Sequence, residues 1–171
     1  MDCVDNFDKI MQRYHAWWHC EIIDRPPVWI EVKKDNKPLP KKQHNSLRDR
    51  WFDAEYQIDC FEANLANREF VGDTVPVYMP NLGPDICATL FGAKIEFGED
   101  TSWAHPTLQS CREVLEIKPD FKNPYWTKIK EMTLLSLERG KGRWITGITD
   151  LHTNGDLLVG LRGPENLCIE I

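Results

Sequence analysis

A carboxylate and an imidazole stand two residues apart near the end of the chain, at Asp150 and His152. They follow an apolar, β-branched run at residues 144–149 that is typical of a strand, and they precede a helix-forming segment that begins near Asp156. In α/β barrels such a loop, at the carboxyl end of a strand, carries the chemistry. We therefore predict that Asp150 and His152 are catalytic, orienting a substrate or sharing a proton near neutral pH. The alternative is that Asp150 caps the helix or bonds loop amides.

A second group of candidates follows other predicted strands. Tyr78, Asn81 and Asp85 lie at the exit of a predicted buried strand at residues 74–79, and Trp103 follows a predicted strand at residues 94–97. An amide such as Asn81 bonds ligand carboxylates or amides, and an indole such as Trp103 stacks on flat ligands. We predict that all four bind substrate. The alternatives are turn chemistry for Asn81 and packing in a core or lid for Trp103.

Two further motifs are compatible with a site but favour ordinary structure. His15 and His19 stand one helical turn apart, which suits a metal, but the sequence fixes no third ligand, although Cys20 and His44 are candidates. We interpret them as exposed histidines and assign no metal ligand. Gly140 and Gly142 follow a predicted helix and precede a strand, so we predict that they end that helix and do not cradle a phosphate.

Charge and hydropathy exclude two classes of partner. The chain of 171 residues carries a formal charge of −6, which argues against a nucleic-acid surface. Its basic cluster, Lys33, Lys34, Lys37, Lys41 and Lys42, is interleaved with prolines and is typical of a solvated loop; the alternative is an anion site. No apolar run approaches the roughly 20 residues that span a membrane, and the N-terminus lacks a secretion signal. We expect a cytoplasmic protein.

The six cysteines are scattered through the sequence without C-x-x-C spacing, so neither a zinc knuckle nor a disulfide framework is encoded locally. We expect reduced thiols that mostly pack as small hydrophobic groups.

Alternating strand and helix patterns set the expected architecture. Amphipathic helices are predicted at residues 6–22, at 47–69 and from Asn123-Pro124 onward, with strands at residues 28–32, 74–79, 94–97 and 144–149. Residues 107–115 give a mixed signal. We find no run of β-hairpins and no internal linker. Such alternation favours a single α/β domain, residues 1–171, with a parallel sheet and right-handed crossovers.

Three segments together resemble the uroporphyrinogen decarboxylase superfamily, which includes the cobamide-dependent methyltransferases. The first is Asp24-Arg-Pro-Pro-Val-Trp29, and the second runs from Pro80-Asn-Leu-Gly-Pro84 through Thr101-Ser-Trp103. The third combines Thr149-Asp-Leu-His152 with Leu161-Arg-Gly-Pro-Glu-Asn166. The resemblance implies a TIM (β/α)8 barrel of which this chain holds the N-terminal half, parallel strands with flanking helices, so that the barrel is incomplete here.

The resemblance also implies a choice of chemistry. The decarboxylases place an Arg-rich segment after Arg-Pro-Pro-Val to hold the carboxylates of a tetrapyrrole, whereas Glu31-Val-Lys33 stands here. A corrinoid-linked methyltransferase is therefore the favoured interpretation, and a tetrapyrrole decarboxylase-like lyase is the alternative. In a complete methyltransferase the resemblance implies a zinc ion, held by later residues, and a corrinoid protein as partner.

A third interpretation is a non-catalytic fragment that self-associates or needs a second chain. About half a barrel leaves a strand edge unpaired, and an unpaired edge is a template for another chain. We therefore expect a homo-oligomer that buries the edge near residues 144–150.

Overall fold

The computed structural model describes residue 1 and residues 4–170, and this part of the chain folds into seven α-helices and six short strands. The helices are α1 (Phe7–Trp18), α2 (Leu47–Phe52), α3 (Ala54–Ala66), α4 (Ile86–Thr89), α5 (Pro124–Arg139), α6 (Gly155–Arg162) and α7 (Pro164–Glu170). The strands are β1 (Trp29–Lys33), β2 (Arg68–Gly72), β3 (Val77–Tyr78), β4 (Lys94–Phe97), β5 (Ser102–His105) and β6 (Ile145–Thr146). A 3-10 helix (Cys111–Leu115) precedes α5.

The predicted half of a TIM barrel is wrong. The strands of residues 1 and 4–170 form three separate two-stranded sheets, in the orders β1-β2, β3-β6 and β4-β5. Only β3 and β6 run parallel, while the other two pairs are antiparallel. A mixed α/β fold with small sheets replaces the continuous parallel sheet that the alternation predicted.

Prolines explain why the parallel pair stays short. Val77 pairs with Ile145 and Tyr78 with Thr146, while Pro76 and Pro80 lie on either side of β3. Because proline has no N–H to donate, it does not extend a ladder. The apolar run at residues 74–79 therefore gives two paired residues where the sequence predicted a whole strand.

Two strands replace predicted helix and loop. The sequence predicts that residues 68 and 69 end a long helix, but they begin β2, with Glu31 opposite Phe70 in the register with β1. The sequence predicts a polar loop at residues 98–103, but residues 102–105 form β5 and close a hairpin with β4. Gly98 N–H donates to the carbonyl of Thr101 across 2.8 Å and makes the turn of that hairpin. This is a single hairpin, which is compatible with the finding of no run of β-hairpins in the sequence.

Local capping chemistry sets the helix boundaries. Asn123 caps α5 by accepting the N–H of Trp126 at 2.9 Å, and Pro124 fills the first turn, which confirms the predicted start. Gly140 is the C-cap, as predicted. The predicted helix at residues 47–69 is broken at Asp53, whose carboxylate accepts the N–H of Tyr56 at 3.1 Å and begins α3 anew.

Helices α3 and α5 pack around the main core. One cluster of buried side chains joins α3, the loop after β3, β4 and α5: Ala54, Leu82, Ile86, Ile95, Phe97, Ile129 and Met132. At the rim, the Arg139 guanidinium of α5 contacts three α3 carboxylates, those of Glu55, Asp59 and Glu62, at 2.8–3.0 Å. In residues 1 and 4–170, no helix combines the length and the apolar character needed to cross a membrane.

Candidate functional site

The parallel pair brings two loops to one edge of the molecule. Gly147 N–H donates to the carbonyl of Tyr78 across 2.8 Å, beyond the last paired residues of β3 and β6. Because parallel strands end on the same side, the loop that carries Asn81 and the loop that carries Asp150 both leave from this edge. The placement agrees with the sequence-based expectation that these residues follow strand ends.

Asp150 and His152 contact each other at this edge. His152 Nε2 lies 3.0 Å from Asp150 Oδ2, and both side chains are partly exposed, 47% and 40% respectively. If Nε2 carries the proton that bonds Asp150, Nδ1 remains to accept a proton. A carboxylate that holds an imidazole in one orientation is a common arrangement in general acid–base sites.

An apolar cleft of about 400 Å³ lies near this loop, although neither Asp150 nor His152 lines it. It is formed by the loop after β6 and by the exposed face of α5: Trp126, Ile129, Lys130, Thr133, Leu134, Gly147, Ile148, Thr149 and Leu151. Its size falls within the range of pockets that hold small organic ligands. Asp150 stands in sequence between two of its lining residues, Thr149 and Leu151.

Thr149 is a site residue that the sequence analysis missed. It is only 6% exposed, and its Oγ1 is buried without a hydrogen-bond partner within residues 1 and 4–170. A buried hydroxyl without a partner costs about 1–3 kcal/mol, and a ligand in the cleft would recover this only if the Thr149 side chain turned its hydroxyl toward the cleft. The only available sequence signal was its position, next to Asp150 at the end of an apolar run.

Tyr78 lies in the core beside this edge. It is 6% exposed and belongs to a buried cluster with Ile58 and Trp144, and its ring meets Phe61 edge-on at a centroid distance of 5.1 Å. Burial raises the pKa of the Tyr78 phenol to about 12, so it stays neutral at physiological pH. Its burial favours packing; the substrate-binding role stays a prediction.

Asn81 and Asp85 organise the loop after β3. Asn81 Oδ1 accepts the N–H of Gly83 at 2.7 Å, which is turn chemistry. Gly83 has φ +105°, and a Cβ there would lie 1.6 Å from Ser102 Oγ, so only glycine fits. Asp85 Oδ2 accepts the N–H of Ala104 at 2.9 Å and ties α4 to β5. The Asn81 amide therefore has a partner within the loop, and the Asp85 carboxylate has one on β5.

Trp103 lies apart from the pair, on β5 opposite Glu96, and its indole is 43% exposed. The lining of the apolar cleft includes neither Trp103 nor Tyr78, Asn81 or Asp85. The structure thus brings Asp150 and His152 together, but the four predicted substrate-binding residues do not line the apolar cleft. Their binding roles stay predictions.

The zinc ion that the resemblance implies for a complete methyltransferase would be held by later residues, and it stays a prediction. In residues 1 and 4–170, no group of three His, Cys, Asp or Glu side chains is placed to hold a metal ion. The rings of His15 and His19 lie 4.5 Å apart, and His19 Nδ1 is 2.8 Å from the carbonyl of His15, so that nitrogen is already engaged. The mechanism proposed for this chain does not use zinc.

Comparison with known proteins gives no assignment: no protein-family model matches the chain, and no curated protein or solved structure matches it either. The resemblance to the uroporphyrinogen decarboxylase superfamily therefore stays a hypothesis that depends on the residues quoted above.

Proposed function

We propose that this protein acts in corrinoid-linked methyl transfer, as in one branch of the uroporphyrinogen decarboxylase superfamily, with Asp150 and His152 as its proton-transfer pair. The observation that carries the proposal is the 3.0 Å contact between His152 Nε2 and Asp150 Oδ2, in a loop whose residues Thr149 and Leu151 line an apolar cleft. Methyl transfer needs a deprotonated nucleophile, such as a thiolate. Transfer in the reverse direction needs a protonated leaving group. An oriented imidazole serves both directions near neutral pH.

The apolar cleft and the Asp150–His152 pair have different roles in the proposed reaction. The apolar walls hold the substrate body and exclude water, and the Thr149 hydroxyl bonds a polar substrate atom. His152 Nδ1 accepts the proton of the nucleophile, and the Asp150 carboxylate stabilises the imidazolium that forms. A corrinoid, when bound by a partner protein, supplies or receives the methyl group.

The geometry around Glu31 supports the methyl-transfer branch over tetrapyrrole decarboxylation. Glu31 forms an ion pair with Arg68 across the β1–β2 ribbon. The Glu31 carboxylate therefore pairs with a guanidinium group of this chain. At this place the decarboxylases present free guanidinium groups to their substrate.

The proposal is tested with methylcobalamin and a small apolar thiol such as benzenemethanethiol. We expect the purified protein to form the methyl thioether at a rate that saturates with thiol, measured by mass spectrometry. A rate equal to that of the protein-free mixture would contradict the proposal. The Thr149→Val variant should raise the KM for the thiol, because the cleft loses its hydroxyl.

Self-association is a second candidate role for the same surface. Ile148 and Leu134, which line the cleft, are 85% and 68% exposed, and within residues 1 and 4–170 β6 pairs only with β3. Exposed apolar side chains beside an unpaired strand edge are the features through which two copies of a chain associate. A non-catalytic, self-associating protein would use the cleft as an interface and would leave thiol methylation at the background rate.

A cytoplasmic location is part of the proposal. The support is the state of the cysteines: Cys20, Cys60, Cys87, Cys111 and Cys168 are all free thiols. Free thiols persist in a reducing compartment.

A further inference from the structure

A second cleft, of about 470 Å³, lies between the β1–β2 ribbon, the loop after β1 and the C-terminal end of α3. Three cations, Lys33, Lys37 and Arg68, and one carboxylate, Glu31, line it. The lining thus has a surplus of two positive charges in a chain whose formal charge is −6. A local surplus of positive charge on an acidic protein attracts anions.

The cations of this cleft differ in how far they are already paired. Arg68 is paired with Glu31, and Lys37 Nζ lies 3.6 Å from Asp35. Lys33 has no ion-pair partner within residues 1 and 4–170. Of the three cations, the Lys33 ammonium is therefore the one that an anionic ligand would stabilise most.

The loop that carries Lys37 is held in place by a buried amide. Asn67 Oδ1 accepts the N–H of Lys37 at 3.0 Å, and Asn67 Nδ2 donates to its carbonyl at 2.9 Å. Asn64, which is half-buried in the cleft wall, makes no side-chain hydrogen bond within the described part of the chain. The Asn67 amide thus fixes the wall of the cleft, while the Asn64 amide is left to bond a ligand.

The cleft continues into a smaller one of about 150 Å³, whose polar side consists of the shared residues Glu31, Asn64 and Arg68. The walls of the smaller cleft are Phe61, Leu65, Phe70, Pro76 and Val77. An apolar cavity of about 150 Å³ holds one benzene molecule. The combined shape is a charged cleft that leads into a smaller one the size of one ring, polar on the shared side and apolar on the other.

We propose that this pair of clefts binds a small organic anion, with a carboxylate or phosphate head between Lys33 and Arg68 and an apolar body the size of a benzene ring against Phe70 and Val77. Pro76 and Val77 lie at the amino end of β3, so this site is separate from the carboxyl edge that carries Asp150 and His152. It does not depend on the proposed methyl transfer.

The test is calorimetric titration of the full chain with benzoate and with phenyl phosphate. Benzamide, which has the ring without the charge, and inorganic phosphate, which has the charge without the ring, are the matched controls. We expect benzoate or phenyl phosphate to bind at least about fivefold more tightly than either control, because both parts of the site then contribute. Equal affinity for the ring-bearing anions and both controls would overturn the proposal.

Two variants locate the site. Lys33→Gln should weaken binding about fivefold or more, whereas Lys34→Gln, which removes a neighbouring charge outside the cleft lining, should leave the affinity unchanged. Equal effects of the two variants would show that binding depends only on the net charge of the protein, and the proposed site would be wrong. Binding should persist in His152→Ala, so that failure of the methyl-transfer proposal and failure of this one give different results.

Discussion

Arg13 and Asp73 lie 60 residues apart in sequence, and Arg13 Nη1 donates to Asp73 Oδ1 across 2.7 Å. Asp73 is fully buried, and its other oxygen accepts the N–H of Val28 and a hydrogen bond from Arg25. Arg13 also bonds both carboxylate oxygens of Asp24, at 2.8 and 2.6 Å. The Asp24-Arg25 segment, which the sequence analysis used for its resemblance, thus fastens α1 to the chain that follows β2.

Asp73→Asn should lower the free energy of unfolding by about 2–4 kcal/mol, since loss of a buried carboxylate leaves two guanidinium groups facing an uncharged amide. Urea denaturation at pH 7 measures it. Asp100→Asn, at an exposed position, is the control and should be neutral within about 0.5 kcal/mol. Equal stabilities of the two variants would show that the buried ion pairs do not stabilise α1.

The same carboxylate should make stability depend on pH. Burial by itself raises the pKa of Asp73, but hydrogen bonds from Arg25, Val28 and Arg13 outweigh it, so the pKa lies below its ordinary value. A lowered folded-state pKa gives stability that is present above the unfolded value of about 3.9 and is lost as the pH falls through the folded value. The difference between the native chain and Asp73→Asn should therefore shrink below about pH 4 and stay constant between pH 5 and pH 7.

Thr149→Val should not destabilise the free protein. The buried Oγ1 has no partner within residues 1 and 4–170, so removing it should leave the melting temperature unchanged or raise it by a few degrees. Thermal unfolding followed by circular dichroism measures the shift. A loss of more than about 1 kcal/mol would show that the hydroxyl is bonded within the fold and is not available to a ligand.

Self-association should depend on the apolar cleft. Light scattering at micromolar concentration should give a mass above the 20.0 kDa of one chain, and Ile148→Ser should lower it. Leu115→Ser removes a side chain of equal exposure, 86%, on the 3-10 helix and should leave the mass unchanged. A monomeric native chain would exclude this interface.

The protein should not decarboxylate uroporphyrinogen. Glu31 places a carboxylate where a polyanionic tetrapyrrole requires guanidinium donors, and it neutralises Arg68. Coproporphyrinogen formation, measured by chromatography after oxidation to porphyrins, is expected at the background rate. Steady protein-dependent formation would reverse the assignment between the two branches.

Local chemistry made part of the fold predictable. The start of α5 follows from Asn123 and Pro124, which act within one helical turn, and β4 follows from an alternation that lies within four residues. By contrast, β2 depends on pairing with β1, where Arg68 lies opposite Lys33, so tertiary contact overrode the helical pattern. The half-barrel is wrong because β1 and β4 pair antiparallel with β2 and β5, while prolines on either side of β3 limit the one parallel pair among the described residues to two residues.

Only part of the candidate site could likewise be predicted from the sequence. The contact of Asp150 with His152 spans two residues and was visible as spacing in the sequence. The cleft was not, since Trp126 and Leu134 reach it from α5 and only packing brings that helix beside Thr149. The burial of the Thr149 hydroxyl is likewise a property of packing, which no pattern of residue types encodes.

The central claim is that Asp150 and His152 transfer a proton, and the chain offers a matched control pair. His105 Nε2 lies 2.8 Å from Glu96 Oε2 on the exposed β4–β5 hairpin, so it repeats the imidazole–carboxylate contact away from the apolar cleft. Thiol methylation from methylcobalamin is measured per folded molecule, together with the melting temperature, for Asp150→Asn, His152→Ala, Glu96→Gln and His105→Ala.

Loss of a positioned proton-transfer group should lower kcat about 100-fold in His152→Ala and in Asp150→Asn, with the melting temperature nearly unchanged because the pair is exposed. The two control variants should retain native turnover. If all four variants keep the native kcat, or if the loss in His152→Ala follows its loss of folded protein, Asp150 and His152 are structural loop residues and the proposed function is wrong.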